Sequence, residues 1–146
     1  MKILIDTCVF IDAFDADSDN HHDSLNLLEE LRKHNLLITM PAHAWFEVQC
    51  TFQKLTKERR FKGPTIGGRM DYPIELIHID DKFIIKYAMV DIPYIKAGDH
   101  IFVTVAKLNN YPLITSDGKM IDVCKKCGIS VYTPNEFLKE LSGKNT

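Results

Sequence analysis

The sequence predicts an α/β protein: a three-layer sandwich with a central parallel sheet of about four to five strands flanked by helices. Three observations point there. Short apolar runs alternate with segments of helical spacing along the whole chain. The runs are compact blocks such as KILI and LLITM, as expected of strands covered on both faces. At 146 residues the chain has the length of one domain. We expect that domain over residues 1–142, with a frayed tail at 143–146.

Residues 2–5 (KILI) read as the first strand. The segment from about Asp23 to His34 carries Leu25, Leu28 and Leu31 at helical spacing, widened by Leu27. Residues 36–40 (LLITM) form a second strand, and Pro41 stands where a helix over 42–57 would begin. Three glycines and a proline make 58–72 a loop. ELIHI (75–79) is a third strand and 80–90 a helix. Gly98 marks a stop, after which Asp99 can cap a helix running through Leu108. YPLIT (111–115) is a strand, followed by the turn Ser116–Asp117–Gly118 and a short helix ending at the C′ glycine Gly128. ISVY (129–132) is the last strand. Thr133, Pro134 and Glu136 then open a terminal helix as a capping box.

The apolar content of 45% suffices for a core without disulfide staples. No run approaches the roughly 18 apolar residues of a membrane helix. The start, MKILIDTCVFIDAF, is interrupted by Asp6 and Asp12 and lacks a signal-peptide cleavage site, so the expectation is a cytoplasmic protein. Cys8, Cys50, Cys124 and Cys127 are then expected as thiols. A net charge of −2 argues against a DNA-coating protein but leaves room for a nuclease with a carboxylate cluster.

Ligands of open parallel sheets bind beyond the carboxyl ends of the strands. Chain direction alone places Asp6 and Asp117 at that edge. Glu47 and Asp99 lie near helix starts. Four converging carboxylates repel one another, and a divalent cation makes the arrangement tolerable. Magnesium and manganese prefer such oxygen ligands and can activate water against phosphorus. Each acid also has a plainer reading. Asp99 can be a helix cap, Asp117 a turn residue and Asp6 a turn former. Glu47 follows Trp45 and Phe46, which suggests partial burial.

These residues resemble the PIN domain, a fold shared by many RNA-cleaving nucleases. ILIDTCVFIDAF resembles the family's first strand, aspartate and short helix. MPAHAWFEV resembles the segment carrying its glutamate, and AGDHIFVTVAKLNNYPLITSDGKM its later pair of aspartates. GISVYTPNEFL resembles its closing strand and helix. The resemblance implies that Asp6, Glu47, Asp99 and Asp117 are catalytic acids binding Mg2+ or Mn2+. Thr115 matches a hydroxyl position that supports the acidic site. Many relatives carry a further acid where this chain has Lys119, so the resemblance implies one firm metal site rather than two.

The implied activity is metal-dependent endoribonuclease. Small members are often VapC-type toxins, which act as homodimers on an RNA substrate and are held in check by an antitoxin protein. The alternatives are a PIN nuclease of RNA maturation or of DNA structures, and a silent binding module.

Lys54, Lys57, Arg59, Arg60, Lys62 and Arg69 form the densest basic stretch, with Phe52 and Phe61 interleaved. They are candidates for gripping RNA, against a solvated helix end. Glycines 63, 67 and 68 suggest a flap. The Cys124–Cys127 pair lacks partners for a zinc site. His21–His22 reads as surface loop. Trp45, Phe46 and Phe102 read as core or interface, and Tyr87, Met89, Ile92 and Tyr94 as core or dimer face.

Overall fold

The computed structural model describes residues 1–63, 72 and 74–143. Five strands, β1 (Lys2–Ile5), β2 (Leu37–Pro41), β3 (Ile74–Ile77), β4 (Leu113–Ile114) and β5 (Val131–Tyr132), make one sheet ordered β3-β2-β1-β4-β5. Every pairing is parallel, with Ile3 opposite Ile38, Ile5 opposite Ile114 and Leu113 opposite Val131. The described residues also form seven helices: α1 (Thr7–Phe14), α2 (His21–Lys33), α3 (Ala42–Lys57), α4 (Asp81–Tyr87), α5 (Ala97–Asn109), α6 (Gly118–Lys126) and α7 (Pro134–Gly143).

Strand order dictates the layers. The chain steps outward from β1 to β2 to β3, then returns to the other side of β1 for β4 and β5. Right-handed crossovers therefore put α1, α2 and α3 on one face, and α4, α5 and α6 on the other. The packing agrees: α1 meets α2 and α3, α2 meets α7, and α5 meets α4 and α6. The predicted three-layer α/β fold is the observed one. Its direction reverses between β1 and β4, which makes the carboxyl edge of these two strands the topological switch point.

Burial explains why the strands are short and apolar. Ile3, Leu4, Ile5, Ile38, Leu113 and Ile114 are fully enclosed between the layers. In α2, Leu27, Leu28 and Leu31 are the buried stripe, on a helix that packs against α1 and α7. In α3, Ala44, Val48, Phe52 and Leu55 form the inward stripe, with Trp45 beside it.

Several local expectations are corrected. Pro41 has an extended backbone (φ −60°, ψ 142°); it closes β2 and caps α3 instead of starting the helix. Gly98 is no stop. Helix α5 begins at Ala97, so Gly98 and Asp99 lie inside its first turn, and Asp99 makes no cap bond. Phe46 is outside the core, 70% exposed. Tyr87 is buried, while Met89 and Tyr94 lie on the surface. The C-terminal helix extends through Gly143, and residues 144–146 lie outside the described residues.

Others agree. Gly128 has φ +69°, the left-handed backbone a glycine suits after a helix. The Glu136 N–H donates to Thr133 Oγ1 at 3.2 Å, and that hydroxyl donates to Glu136 Oε1 at 3.0 Å. All four cysteines are free thiols. No helix of the described residues is long and apolar enough to cross a membrane.

Candidate active site

At the switch point an open cleft of about 440 Å3 is lined by Asp6, Thr7, Cys8, Ile11, Asp12, Asn20, Glu47, Asp99, Ser116 and Asp117. All four sequence-derived acids face it. They arrive by different routes, so each is taken in turn.

Asp6 is the residue after β1. Its backbone N–H donates to Ile114 O at 3.0 Å, which extends the β1–β4 ladder by one rung and sets Asp6 beside Thr115. Only 6% of Asp6 is exposed. Its Oδ2 accepts two bonds, from Thr115 Oγ1 at 2.6 Å and from Cys8 Sγ at 3.2 Å. Burial pushes the carboxyl above the usual carboxylate range, the Thr115, Cys8 and Thr7 donors pull it back, and the charge of Asp117 adds to the rise.

Thr115 is wholly buried and joins two acids. Its Oγ1 accepts the Asp117 N–H at 3.0 Å and donates to Asp6. With one hydroxyl proton, that leaves a single orientation: proton toward Asp6, lone pair toward Asp117. The Thr115 N–H donates to Tyr132 O at 2.9 Å, so β5 holds the residue in place.

Asp117 caps α6. Its Oδ1 accepts from Lys119 N at 2.9 Å and Met120 N at 3.3 Å, while Oδ2 takes no hydrogen bond among the described residues. The plain cap reading of Asp117 is therefore correct for one oxygen and leaves the other for the cleft.

Asp99 occupies the first turn of α5 and is half-buried. Burial raises its pKa, and repulsion from Asp6, Asp117 and Glu47 outweighs attraction to Lys96. Glu47 stands in the second turn of α3 and is exposed, against the expectation of partial burial. The physical reason is periodicity: the inward stripe takes positions 44, 48, 52 and 55, so the hydrophobic neighbours Trp45 and Phe46 say nothing about residue 47.

Four cleft residues were missed from the sequence as site members: Cys8, Ile11, Asp12 and Asn20. Cys8, Ile11 and Asp12 share one face of α1 at spacings of three and four, a period readable once α1 is recognised as a helix. Burial pushes the Cys8 thiol up to about 12, with the Asp6 charge acting the same way, so it remains a protonated donor. Asp12 accepts from Ser18 Oγ at 2.9 Å, which ties the loop carrying Asn20 over the cleft.

The basic stretch is not gathered here. Arg60 is engaged elsewhere: its Nη2 lies 2.6 Å from Asp15 Oδ2, its Nη1 2.9 Å from Glu58 and its Nε 3.5 Å from Asp17. Phe52 is buried, and Phe61 packs on it with ring centroids 4.9 Å apart, so neither offers a face to a base. Lys54, Lys57, Arg59 and Lys62 are exposed. Arg69, Gly67 and Gly68 lie outside the described residues.

The donor set suits a hard cation: four carboxylates around one cleft, with hydroxyls and an amide beside them. Among the described residues no three His, Cys, Asp or Glu side chains stand close enough to enclose an ion together. A divalent cation held at this cleft would therefore have to keep part of its water shell.

Residues 3–126 match the sequence profile of the PIN domain family. The chain belongs to the PIN domain family. Solved structures share this PIN fold at low identity. Helical and sheet architecture superposes on VapBC2 from Rickettsia felis, bound to a DNA fragment from its promoter, with a TM-score of 0.61, 19% identity, and coverage of 91% of this chain and 98% of that one. VapC20 of Mycobacterium tuberculosis, a sarcin-ricin loop cleaving toxin, gives a TM-score of 0.61 at 12% identity, covering 82% and 93%. PAE2754 from Pyrobaculum aerophilum gives 0.58 at 12% identity, covering 98% and 90%. No curated protein sequence matches this PIN domain significantly.

Proposed function

We propose that this PIN domain is a Mg2+- or Mn2+-dependent endoribonuclease hydrolysing RNA phosphodiester bonds. The observation that carries the reading is the convergence of Asp6, Glu47, Asp99 and Asp117 on one cleft at the switch point. A bound divalent cation supplies charge neutralisation for the scissile phosphate and lowers the pKa of an attacking water. The protein's own work is positional. Thr115 and Cys8 hold Oδ2 of Asp6, which fixes the carboxyl at the cleft. The α6 N-terminus holds Oδ1 of Asp117. Glu47, on a solvated helix face, can move to meet a hydrated cation. Asp12 and Asn20 rim the opening on the α1–α2 side.

The likeness in fold to toxins such as VapC20 and to the VapBC2 complex supports a toxin with a cognate antitoxin protein. A homodimer is the second partner we infer. Ile84, Ile85, Met89 and Tyr94 are large apolar side chains left exposed around a groove of about 420 Å3 between α4 and α5, which a second subunit would cover.

The test is cleavage of single-stranded RNA with magnesium or manganese by the wild type, Asp6→Asn and Asp99→Asn. The reading expects cleavage by the wild type alone and none in EDTA. Equal cleavage by all three would remove these acids from the reaction.

A further inference from the structure

One face of α3 leads out of the cleft. Glu47, Cys50, Lys54 and Lys57 follow one another at spacings of three and four, and all are exposed. At a rise of about 1.5 Å per residue, Lys54 lies ~10 Å and Lys57 ~15 Å along the axis from Glu47. Arg59, with φ 59°, turns the chain at the helix end, and Lys62 follows it. None of these four cations pairs with a carboxylate among the described residues, unlike Arg60 in their midst, which has three. Beside Glu47 on the same helix stands Phe46, 70% exposed, and Cys50, Gln53 and Lys57 continue its side. The other phenylalanines of this region, Phe10, Phe14, Phe52 and Phe61, are packed in a ring cluster, so Phe46 stands apart as an aromatic face offered to solvent.

We propose that this face of α3 is the track along which single-stranded RNA leaves the acidic cleft, with Phe46 stacking on a base next to the scissile phosphate and Lys54 and Lys57 holding phosphates further along. The assignment rests on the nuclease reading and names how that site takes its substrate. Charge complementarity carries it. An acidic cleft repels a polyanion, so attraction must come from cations nearby, and these unpaired ones lie on the helix that supplies a cleft acid. Phe46 adds what lysines lack, a sequence-tolerant platform for a base. The face it shares with Gln53 and Lys57 is mixed and polar, which suits a nucleic acid better than the apolar contact of another protein subunit.

The test is binding of a short fluorescein-labelled single-stranded RNA, read by anisotropy in an Asp99→Asn background so that the RNA survives. Phe46→Ala and Phe46→Leu should each weaken binding about tenfold, and Phe46→Trp should restore it. The Lys54→Ala/Lys57→Ala variant should lower the log–log salt slope by about 1.4, ~0.7 for each phosphate no longer neutralised. A 2-aminopurine base placed near the cleavage site should be quenched by the parent and not by Phe46→Ala. Wild-type affinity in both Phe46→Ala and Phe46→Leu, an unchanged salt slope, or tighter binding of single-stranded DNA than RNA would overturn the assignment. So would a change of oligomeric state in Phe46→Ala, which would make this face a protein interface. Binding that behaves as predicted in a protein that never cleaves RNA would sink the nuclease reading and leave the track standing.

Discussion

Thr115 Oγ1 lies 2.6 Å from Asp6 Oδ2, joining residues 109 positions apart. Because the same hydroxyl accepts the Asp117 N–H at 3.0 Å, one buried oxygen spans two of the four cleft acids. It is also the short, charge-assisted kind of bond that holds a carboxylate in one orientation.

Thr115→Val removes this donor and leaves the Asp117 N–H and Asp6 Oδ2 short of a partner. The expected stability loss is about 1–3 kcal/mol, measured by urea unfolding. Cation affinity should fall by tenfold or more, as when outer partners of metal-holding residues are removed. Thr115→Ser keeps the hydroxyl and should recover the affinity. A serine variant as weak as valine would show that the methyl group, through packing, is what matters.

Cys8 shares the same Asp6 oxygen, and burial sets its thiol at about 12. Little thiolate exists at neutral pH, so alkylation by iodoacetamide should label exposed Cys50 far ahead of Cys8. Cys124, also pushed to about 12 by burial, should lag with it. Peptide mass mapping over time gives the order, and early labelling of Cys8 would contradict its role as a protonated donor.

Asp99 is raised above its ordinary value by burial and by three neighbouring acids. A group raised in the folded state contributes stability that is full below its unfolded pKa of about 4 and is lost as pH rises through the folded pKa. In EDTA, therefore, Asp99→Asn should melt above the wild type at pH 7. The gap should close toward pH 4. Scanning calorimetry at the two pH values reads it directly, and an Asn variant less stable at pH 7 would contradict the repulsion.

Arg60 closes the loop after α3 onto the end of α1. Its guanidinium meets the buried Asp15, and Ala16 N donates to Arg60 O at 2.9 Å. Arg60→Ala leaves Asp15 without its cation and should lower the midpoint of urea unfolding, modestly because Arg60 is partly exposed. RNA affinity measured on the folded variant should stay within twofold of the wild type. A loss of affinity like that of Lys54→Ala/Lys57→Ala would return Arg60 to the RNA-binding set.

The layers were legible in the sequence because strand burial writes itself as short apolar blocks, and KILI, LLITM and ISVY are such blocks. The acids at strand ends were legible for the same reason: Asp6 and Asp117 follow strands, and chain direction puts them at the sheet's carboxyl edge. Glu47 lines the same cleft as the other three acids, but it is exposed where partial burial was expected, since flanking aromatic residues are a poor guide to a helix face. Arg60 looked like its neighbours in a basic run; only the fold brings Asp15 to it from 45 positions away. Cys8 and Asp12 escaped although a short helix after Asp6 was expected, because its period was not followed to the face they share. Local spacing was readable, whereas pairings across long separations needed the fold.

The claim that four carboxylates form one divalent-cation site is tested most directly by calorimetric titration of the metal-free protein with Mn2+. Wild type should be compared with Asp6→Asn, Glu47→Gln, Asp99→Asn and Asp117→Asn, each checked for retained fold by circular dichroism. The account predicts one saturable site in the wild type, with every variant binding at least tenfold more weakly. Wild-type affinity retained in all four variants would contradict it.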